Sequence, residues 1–361
     1  MIKNIAINLG STSTKIAYYE DGKCKVRESI SHDVNLLASI KNIWDQYDLR
    51  KATVDDFLRK NHIDLDDLDA ISSRGGHTEP IMGGTYQINE AMLSQNRSGK
   101  YGIHVCNVGL QLAYEYAVHS KKAVPMTTDT PTTDELTPIA RISGLAGIRR
   151  ECRFQALNHR AMARYYAQTV GKRYEDLNLV VAMLGGGISV VAHCQGRMVD
   201  GPDSLTGEGP FSNNRAGTLP AGQVIKMCYS GRYTEEEMMY RINGEGGLIS
   251  YLSTADIREI EKGINNGNEK SRLILEAMCY QTSKEIGAMA AAMKGKIDAI
   301  LLIGGMANSK FITDYIREHT EFLAPVVIIP GEREMESLCL SAYRVLIGEE
   351  PLLTFMPVAE E

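Results

Sequence analysis

The sequence is 361 residues long and carries 39 Lys and Arg against 45 Asp and Glu, a formal net charge of −6. With 43% hydrophobic and 23% charged residues it is excluded from the disordered, collagenous and coiled-coil classes, and its length predicts two domains or one large one. Net negative charge argues against nucleic acid or a membrane surface as partner, because both are themselves anionic.

The chain opens on MIKNIAINLG, which reads directly as a strand, with no signal-peptide hydrophobic region and cleavage site. Residues 4–23, NIAINLGSTSTKIAYYEDGK, predict a strand, a loop of Gly and small hydroxyl residues, a second strand and an Asp21-Gly22 turn. Residues 69–73 read as a short strand delivering Arg74-Gly75-Gly76, 107–119 as a helix, and 123–126 as a strand ending toward Asp129. Residues 158–170 are predicted helical with Asn158 as N-cap. Residues 178–197, NLVVAMLGGGISVVAHCQGR, then repeat the opening pattern without gaps at an offset of 174 residues, closing on Gln195-Gly196. Residues 200–220 carry Gly201, Gly207, Gly209 and Gly217 and little secondary-structure signal; so long a loop in a compact domain is usually functional or disordered. Residues 235–242 and 272–294 read as helices, 296–303 as a strand delivering Gly304-Gly305, 326–329 as a strand ending at Pro330-Gly331, and 334–347 as the last helix. The alternation predicts an α/β architecture with largely parallel sheets covered on both faces. The repeat predicts two homologous domains, each opening with a β-meander.

The longest stretch without a formal charge, residues 177–196, is split by Gly185-Gly186-Gly187 and reads as two strands and a turn rather than a membrane span. The seven cysteines (Cys24, Cys106, Cys152, Cys194, Cys228, Cys279, Cys339) are scattered, with no metal-ligand spacing, which fits a reducing cytoplasm. There is no Walker-type G-x-x-x-x-G-K-[ST] and no G-x-G-x-x-G opening a helix. What remains is three turns at strand ends: Asn8 to Lys15 (NLGSTSTK), Leu184-Gly185-Gly186-Gly187, and Ile303-Gly304-Gly305-Met306. Glycine lets backbone N–H groups crowd around an anion, and Ser11, Thr12, Ser13, Thr14 and Lys15 add donors, so the turns suit a polyphosphate. Ordinary tight β-turns are the competing reading.

These residues resemble a known family. NLGSTSTK (8–15), SRGGHTEPIMGGTYQINEAML (73–93), HVCNVGLQLAYEYA (104–117), TTDTPTTDELTPIARISGL (127–145), LGGGISVVAH (184–193), GRMVDGPDSLTGEGPFSNNRAGTLP (196–220), IGGMANSKFI (303–312) and PGEREMESL (330–338) are similar to the butyrate kinases. Those belong to the acetate/butyrate carboxylate kinases, in the superfamily of actin, sugar kinases and heat-shock chaperone ATPases. Leu9 stands where the family usually has Pro, and the family's Tyr near Asn308 is missing. The resemblance implies a two-domain actin-like (ribonuclease H-like) fold with the active site in the interdomain cleft. It implies an N-terminal domain over 1–147 plus 337–361, a nucleotide-binding domain over 148–336, and a homodimer or higher homo-oligomer.

It also implies a reaction: ATP and a short-chain carboxylate give an acyl phosphate and ADP, reversibly and by direct in-line transfer, with Mg²⁺. A carboxylate is ionised at neutral pH and needs no general base; the obstacle is bringing two anions together. By the same resemblance Arg74 and Arg215, each beside glycine, clamp the carboxylate and the transferring phosphoryl group, for which a planar guanidinium is suited. His159 donates to the phosphoryl oxygens and His104 lines the acyl side. Asn8, Ser11–Lys15, Gly185–Gly187, Gly304, Gly305 and Asn308 bind nucleotide. Glu334, with Glu336 as the alternative, and Asn8 hold Mg²⁺ through water, while Asp129 orients an arginine or the metal shell. Two rivals remain: a nucleotide-switched scaffold without catalysis, and a sugar or polyol kinase using Asp129 as a base.

Overall fold

The computed structural model describes residues 1–358. Its strands are β1 Lys3–Leu9, β2 Ser13–Glu20, β3 Lys23–Ser31, β4 Ala70–Ser73, β5 Thr85–Gln87, β6 Val124–Thr128, β7 Asn178–Leu184, β8 Ile188–Cys194, β9 Arg197–Asp200, β10 Ala299–Gly304, β11 Val326–Pro330 and β12 Leu353–Thr354. They form two sheets, ordered β12-β5-β6-β4-β1-β2-β3 and β11-β10-β7-β8-β9. The chain divides into two compact units. The first comprises Met1–Thr133, Ala156–Ala161 and, of the described residues, those from Arg333 to Val358, so the last three residues of the expected 337–361 segment lie outside the described residues; the second comprises Asp134–Gln155 and Met162–Glu332. These breaks differ from the sequence-based 147/148 and 336/337. Residues 156–161 group with the first unit because Leu157 packs there with Ala6, Ala17, Met335 and Leu338.

In the first unit β1 sets the pattern. Its period of two sends Ile5, Ile7 and Leu9 into one apolar cluster with Val54, Phe57, Ile71, Val108 and Leu112. Those partners come from helices Tyr47–Lys60 and Cys106–Val118 and from β4. Ala6 faces the opposite cluster, where the last helix, Glu334–Leu346, packs through Met335, Leu338 and Cys339. Asn4, on Ala6's face, donates to the Cys339 carbonyl at 3.1 Å.

In the second unit β7 is buried on both faces. Val180, Ala182 and Leu184 join Leu275, Met278, Cys279 and Ile286 of the long helix Glu269–Ala292. Leu179, Val181 and Met183 join Met162, Ala163, Leu301 and Ile303.

The sheets are mixed rather than largely parallel. β1 pairs antiparallel with β2 but parallel with β4, and β7 pairs antiparallel with β8 but parallel with β10. The meander is the cause, since its tight turns force antiparallel neighbours. The repeat is present in both units, including the two-residue turns Asp21-Gly22 and Gln195-Gly196, each with positive φ at both positions. It is not gapless. Leu9 pairs with Thr14 across a four-residue loop, whereas Leu184 pairs with Ile188 across three residues, so one residue is lost in the second loop. Helix Ala156–Thr169 starts two residues before the expected cap; Asn158 lies inside it, and its Oδ1 accepts from Arg333 N at 3.0 Å.

Leu302 is fully buried in β10, between β7 and β11. Leu302→Ala should cost about 2–5 kcal/mol, read as a lower urea midpoint for the second unit's transition.

Candidate active site

Parallel strands end at the same edge of a sheet, and ligands of α/β proteins bind beyond those carboxyl ends. In the first unit β1, β4 and β6 are mutually parallel neighbours and deliver Asn8, Arg74 and Asp129 to one edge. Arg74 N donates to Ile7 O at 3.0 Å, fixing it beside the end of β1. The two glycines after it are required: a Cβ on Gly75 would lie 2.3 Å from Thr127 Oγ1, and one on Gly76 1.8 Å from Asn96 Oδ1.

The last helix brings Glu334 to the same edge. Its Oε2 accepts from Asn8 Nδ2 at 2.8 Å, and its Oε1 lies 3.6 Å from Arg74 Nη1. Glu334 is buried; Glu336 instead pairs with Arg333 at 2.7 Å. Of the two candidates, Glu334 is therefore the one at the strand ends. Asn8 Oδ1 is buried and accepts no hydrogen bond, so a carboxylate and a free amide oxygen stand together. That sparse oxygen set fits Mg²⁺, which keeps most of its waters. Among the described residues no group of three or more His, Cys, Asp or Glu side chains is placed to hold a metal ion.

Asp129 follows β6 with φ +43°, a strained conformation for a non-glycine residue. Its Oδ1 accepts from Gly84 N at 3.0 Å and its Oδ2 lies 3.0 Å from Arg160 Nε. The arginine beside Asp129, Arg160, escaped the sequence reading. Nothing in the pattern of a single Arg inside a helix marks it.

His104 Nδ1 accepts from Cys106 N at 3.2 Å, which leaves the ring proton on Nε2, 3.4 Å from Ser11 Oγ. Burial, with the charge of Arg74 and smaller contributions from His77 and Arg50, pushes its pKa down to about 4. His159 is 0% exposed, and burial pushes its pKa down to about 3. The sequence reading gave His159 a direct contact with the transferred phosphoryl group. In this structure the imidazole has no exposed surface.

The first loop is closed by Gly10 N donating to Ser13 O at 2.9 Å, with Ser11 and Thr12 exposed at its tip. Thr14 departs from the expected role. It is fully buried, its hydroxyl accepts from Arg50 Nη1 at 3.0 Å, and it lies 2.8 Å from His32 Nε2. Lys15 stands opposite Asn8 across the β1–β2 ladder, which puts both side chains on one face.

The second unit repeats the arrangement with β7, β10 and β11, all parallel and ending at Gly185–Gly187, Gly304-Gly305 and Pro330-Gly331. The packing there excludes side chains. Gly304 has φ +89°, and a Cβ on it would lie 2.5 Å from Leu184 O. Gly304 and Gly331 exchange backbone hydrogen bonds of 3.1 and 3.0 Å. The irregular segment after β9 carries Arg215 to this edge, where a Cβ on Gly187 would lie 2.2 Å from Arg215 Nη1. Arg215 Nη1 also donates to Ser204 O at 3.2 Å, and Ser212 Oγ donates to Gly186 O at 2.8 Å. Burial lowers the Arg215 pKa, opposed by Asp203. Asn308 is exposed and donates to Gly305 O at 2.9 Å. A cavity of about 200 Å³ lined by Glu261, Ile264, Asn265, Lys310 and Phe311 adjoins that turn.

A family model described as the acetokinase family matches residues 132–334. Among solved structures the chain is similar to an acetate kinase from Porphyromonas gingivalis (17% identity, 96% of this chain and 100% of that one, TM-score 0.78). It is also similar to a propionate kinase from Francisella tularensis subsp. tularensis (16% identity, 94% and 98%, TM-score 0.73). A third likeness is to an acetate kinase from Entamoeba histolytica (14% identity, 94% and 98%, TM-score 0.75). At these identities the likeness establishes the two-domain α/β fold with mixed sheets that such kinases share. No helix among the described residues is long and apolar enough to cross a membrane.

Two predictions follow from this geometry. Gly187→Ala should fold but displace the Arg215 guanidinium; a crystal structure of the variant with that side chain unmoved would contradict the reading. Histidine titrates near 6.5 when unfolded, whereas folded His104 does so near 4 and His159 near 3. The folded protein thus binds fewer protons than the unfolded one across that window, and stability falls as pH drops through it. The urea midpoint should decline between about pH 7 and about pH 4.5, and His104→Gln should lose less of it.

Proposed function

The chain belongs to the acetokinase family, and from that premise we propose that it transfers the γ-phosphoryl group of ATP to butyrate, or to a related short or branched fatty acid, giving the acyl phosphate and ADP reversibly. A carboxylate kinase is what the family is; butyrate as acceptor rests on the long motifs shared with the butyrate kinases. The observation that carries the reading is a part-buried guanidinium at each set of glycine-bearing strand ends, Arg74 in one unit and Arg215 in the other.

The chemistry follows from charge. The acceptor arrives ionised, so the residues must lower the repulsion between it and the nucleotide rather than remove a proton. Arg74 takes the carboxylate in a planar fork, and Arg215 follows the phosphoryl group as its charge moves to the equatorial oxygens. His104, neutral and carrying its proton on Nε2, lines the acyl side without adding charge. The loop groups of Ser11, Thr12, Ser13 and Lys15 and the turns at Gly185–Gly187 and Gly304-Gly305 receive the phosphates. Asn308 and the adjoining cavity receive the nucleoside. Mg²⁺ brought with the nucleotide would be held by Glu334 and Asn8, where it would offset phosphate charge.

The sugar-kinase alternative needs a carboxylate free to accept a hydroxyl proton. Asp129 is bound to Arg160 and to Gly84 N–H, which makes it a poor base.

Trapping with hydroxylamine tests the reading. ATP, Mg²⁺ and butyrate should yield a hydroxamate, with kcat/KM for butyrate above that for acetate and propionate; isobutyrate and isovalerate complete the panel. Arg74→Ala and Arg215→Ala should each lower kcat/KM by about 10²–10³-fold. Hydroxamate with acetate but not butyrate would remove the butyrate assignment, and none with any acid would remove the kinase assignment.

A further inference from the structure

Arg50, in helix Tyr47–Lys60, is 0% exposed. A buried guanidinium is normally matched by a carboxylate, because an unpaired charge is costly to remove from water. Arg50 has none. Its Nη1 donates to Ser13 O at 2.8 Å and to Thr14 Oγ1 at 3.0 Å. Its Nη2 donates to Gly10 O at 3.0 Å, Ser11 O at 3.5 Å and Gln46 Oε1 at 2.9 Å, and Nε to Gln46 Oε1 at 3.2 Å. Every acceptor is neutral, and apart from Gln46 every one belongs to the first glycine-hydroxyl loop.

The peptide unit is planar and trans, so its C=O and N–H point in opposite directions. Drawing the Gly10 and Ser11 carbonyls inward onto Arg50 turns the N–H groups of Ser11 and Thr12 outward. Neither N–H donates to any backbone carbonyl in the loop, and both residues are exposed. Two outward N–H groups backed by a buried, unneutralised cation form an anion-binding concavity. The charge is felt locally: Arg50 contributes to the lowered proton affinity of both His32 and His104.

We infer that Arg50 is a positioning residue for nucleotide binding: from behind, it holds the Gly10–Ser13 loop with its N–H groups outward, and its charge is completed by the polyphosphate that the loop receives. The inference rests on the proposed kinase reading for the identity of that anion. A purely structural arginine would stabilise the fold and leave ligand affinities in proportion. A positioning arginine weakens the nucleotide selectively.

The test uses the full-length protein, titrated calorimetrically with ADP and with inorganic tripolyphosphate, alongside steady-state KM values for ATP and butyrate. Arg50→Gln should weaken both phosphate ligands at least tenfold while the butyrate KM changes less than threefold. Arg50→Lys keeps the charge but loses the fork, and should lie between wild type and Arg50→Gln. If Arg50→Gln does not fold, judged by far-ultraviolet circular dichroism, Arg50→Lys alone decides, with at least threefold weaker ADP binding expected at an unchanged butyrate KM. Wild-type ADP affinity in the folded variant, or an equal loss for ADP and butyrate, overturns the inference. Failure of the wild-type protein to bind ADP at all would instead overturn the kinase reading on which it rests.

Discussion

Positive charge held partly out of water, at places where backbone can approach an anion, is the constraint around which both units are arranged. A guanidinium in bulk water is screened and loses most of its pull on a phosphate. A guanidinium buried beside a carboxylate is neutralised by its partner. Arg215 avoids both outcomes by lying on the bare backbone of Gly187 and donating to a carbonyl, Ser204 O, rather than to an acid. Arg74 touches an acid, Glu334, but at 3.6 Å, while the closer partner of that carboxylate is the Asn8 amide. The arrangement leaves both arginines with unspent donors, and the missing Cβ at Gly187 is the steric condition for the place of Arg215.

The two copies of the meander meet the same need differently. In the first, the four-residue loop has its carbonyls drawn inward by Arg50; in the second, the three-residue loop is closed by Gly185 N donating to Gly187 O and fastened by Ser212 Oγ on Gly186 O. The missing residue shows why an arginine serves only one of them. Four residues present three inward carbonyls to a planar fork, whereas three residues close on themselves and need one hydroxyl. A duplicated scaffold has thus kept its strand register on either side of the turn while the turn itself specialised.

Much of this was legible in the sequence because it obeys short-range rules. The duplicated strand-turn-strand units, the Asp21-Gly22 and Gln195-Gly196 turns and the glycines at strand ends all follow from period-two patterning and from the φ that only certain residues accept. Mixed pairing within the sheets was not read correctly, because alternating helices and strands suggest parallel neighbours and say nothing of which strands a meander places at the edge. Side-chain burial was the other blind spot. His159 looks like a site residue in a motif, yet its place on the inner face of Ala156–Thr169 leaves it no surface. Arg50 stands next to Lys51 in a charged helix and reads as solvated; only the fold of the loop above it shows five donors turned inward. Arg160 is silent for the same reason.

The state of the histidines bounds the mechanism further. With the pKa of His104 near 4 and that of His159 near 3, neither imidazole carries charge at neutral pH, and guanidinium groups do not titrate there at all. The positive field at the strand ends is accordingly carried by arginine and lysine rather than by imidazolium. For a reaction between two anions this is an advantage over a site built on imidazolium, whose charge would vanish as pH rises through 6.5. In the proposed reaction it also gives a neutral His104 a use: a donor beside the acyl group that does not compete with Arg74 for the charge. A site of this kind owes its selectivity to where its cations are fixed: Arg74 by the end of β4, and Arg215 by the segment after β9 that lays it on Gly187.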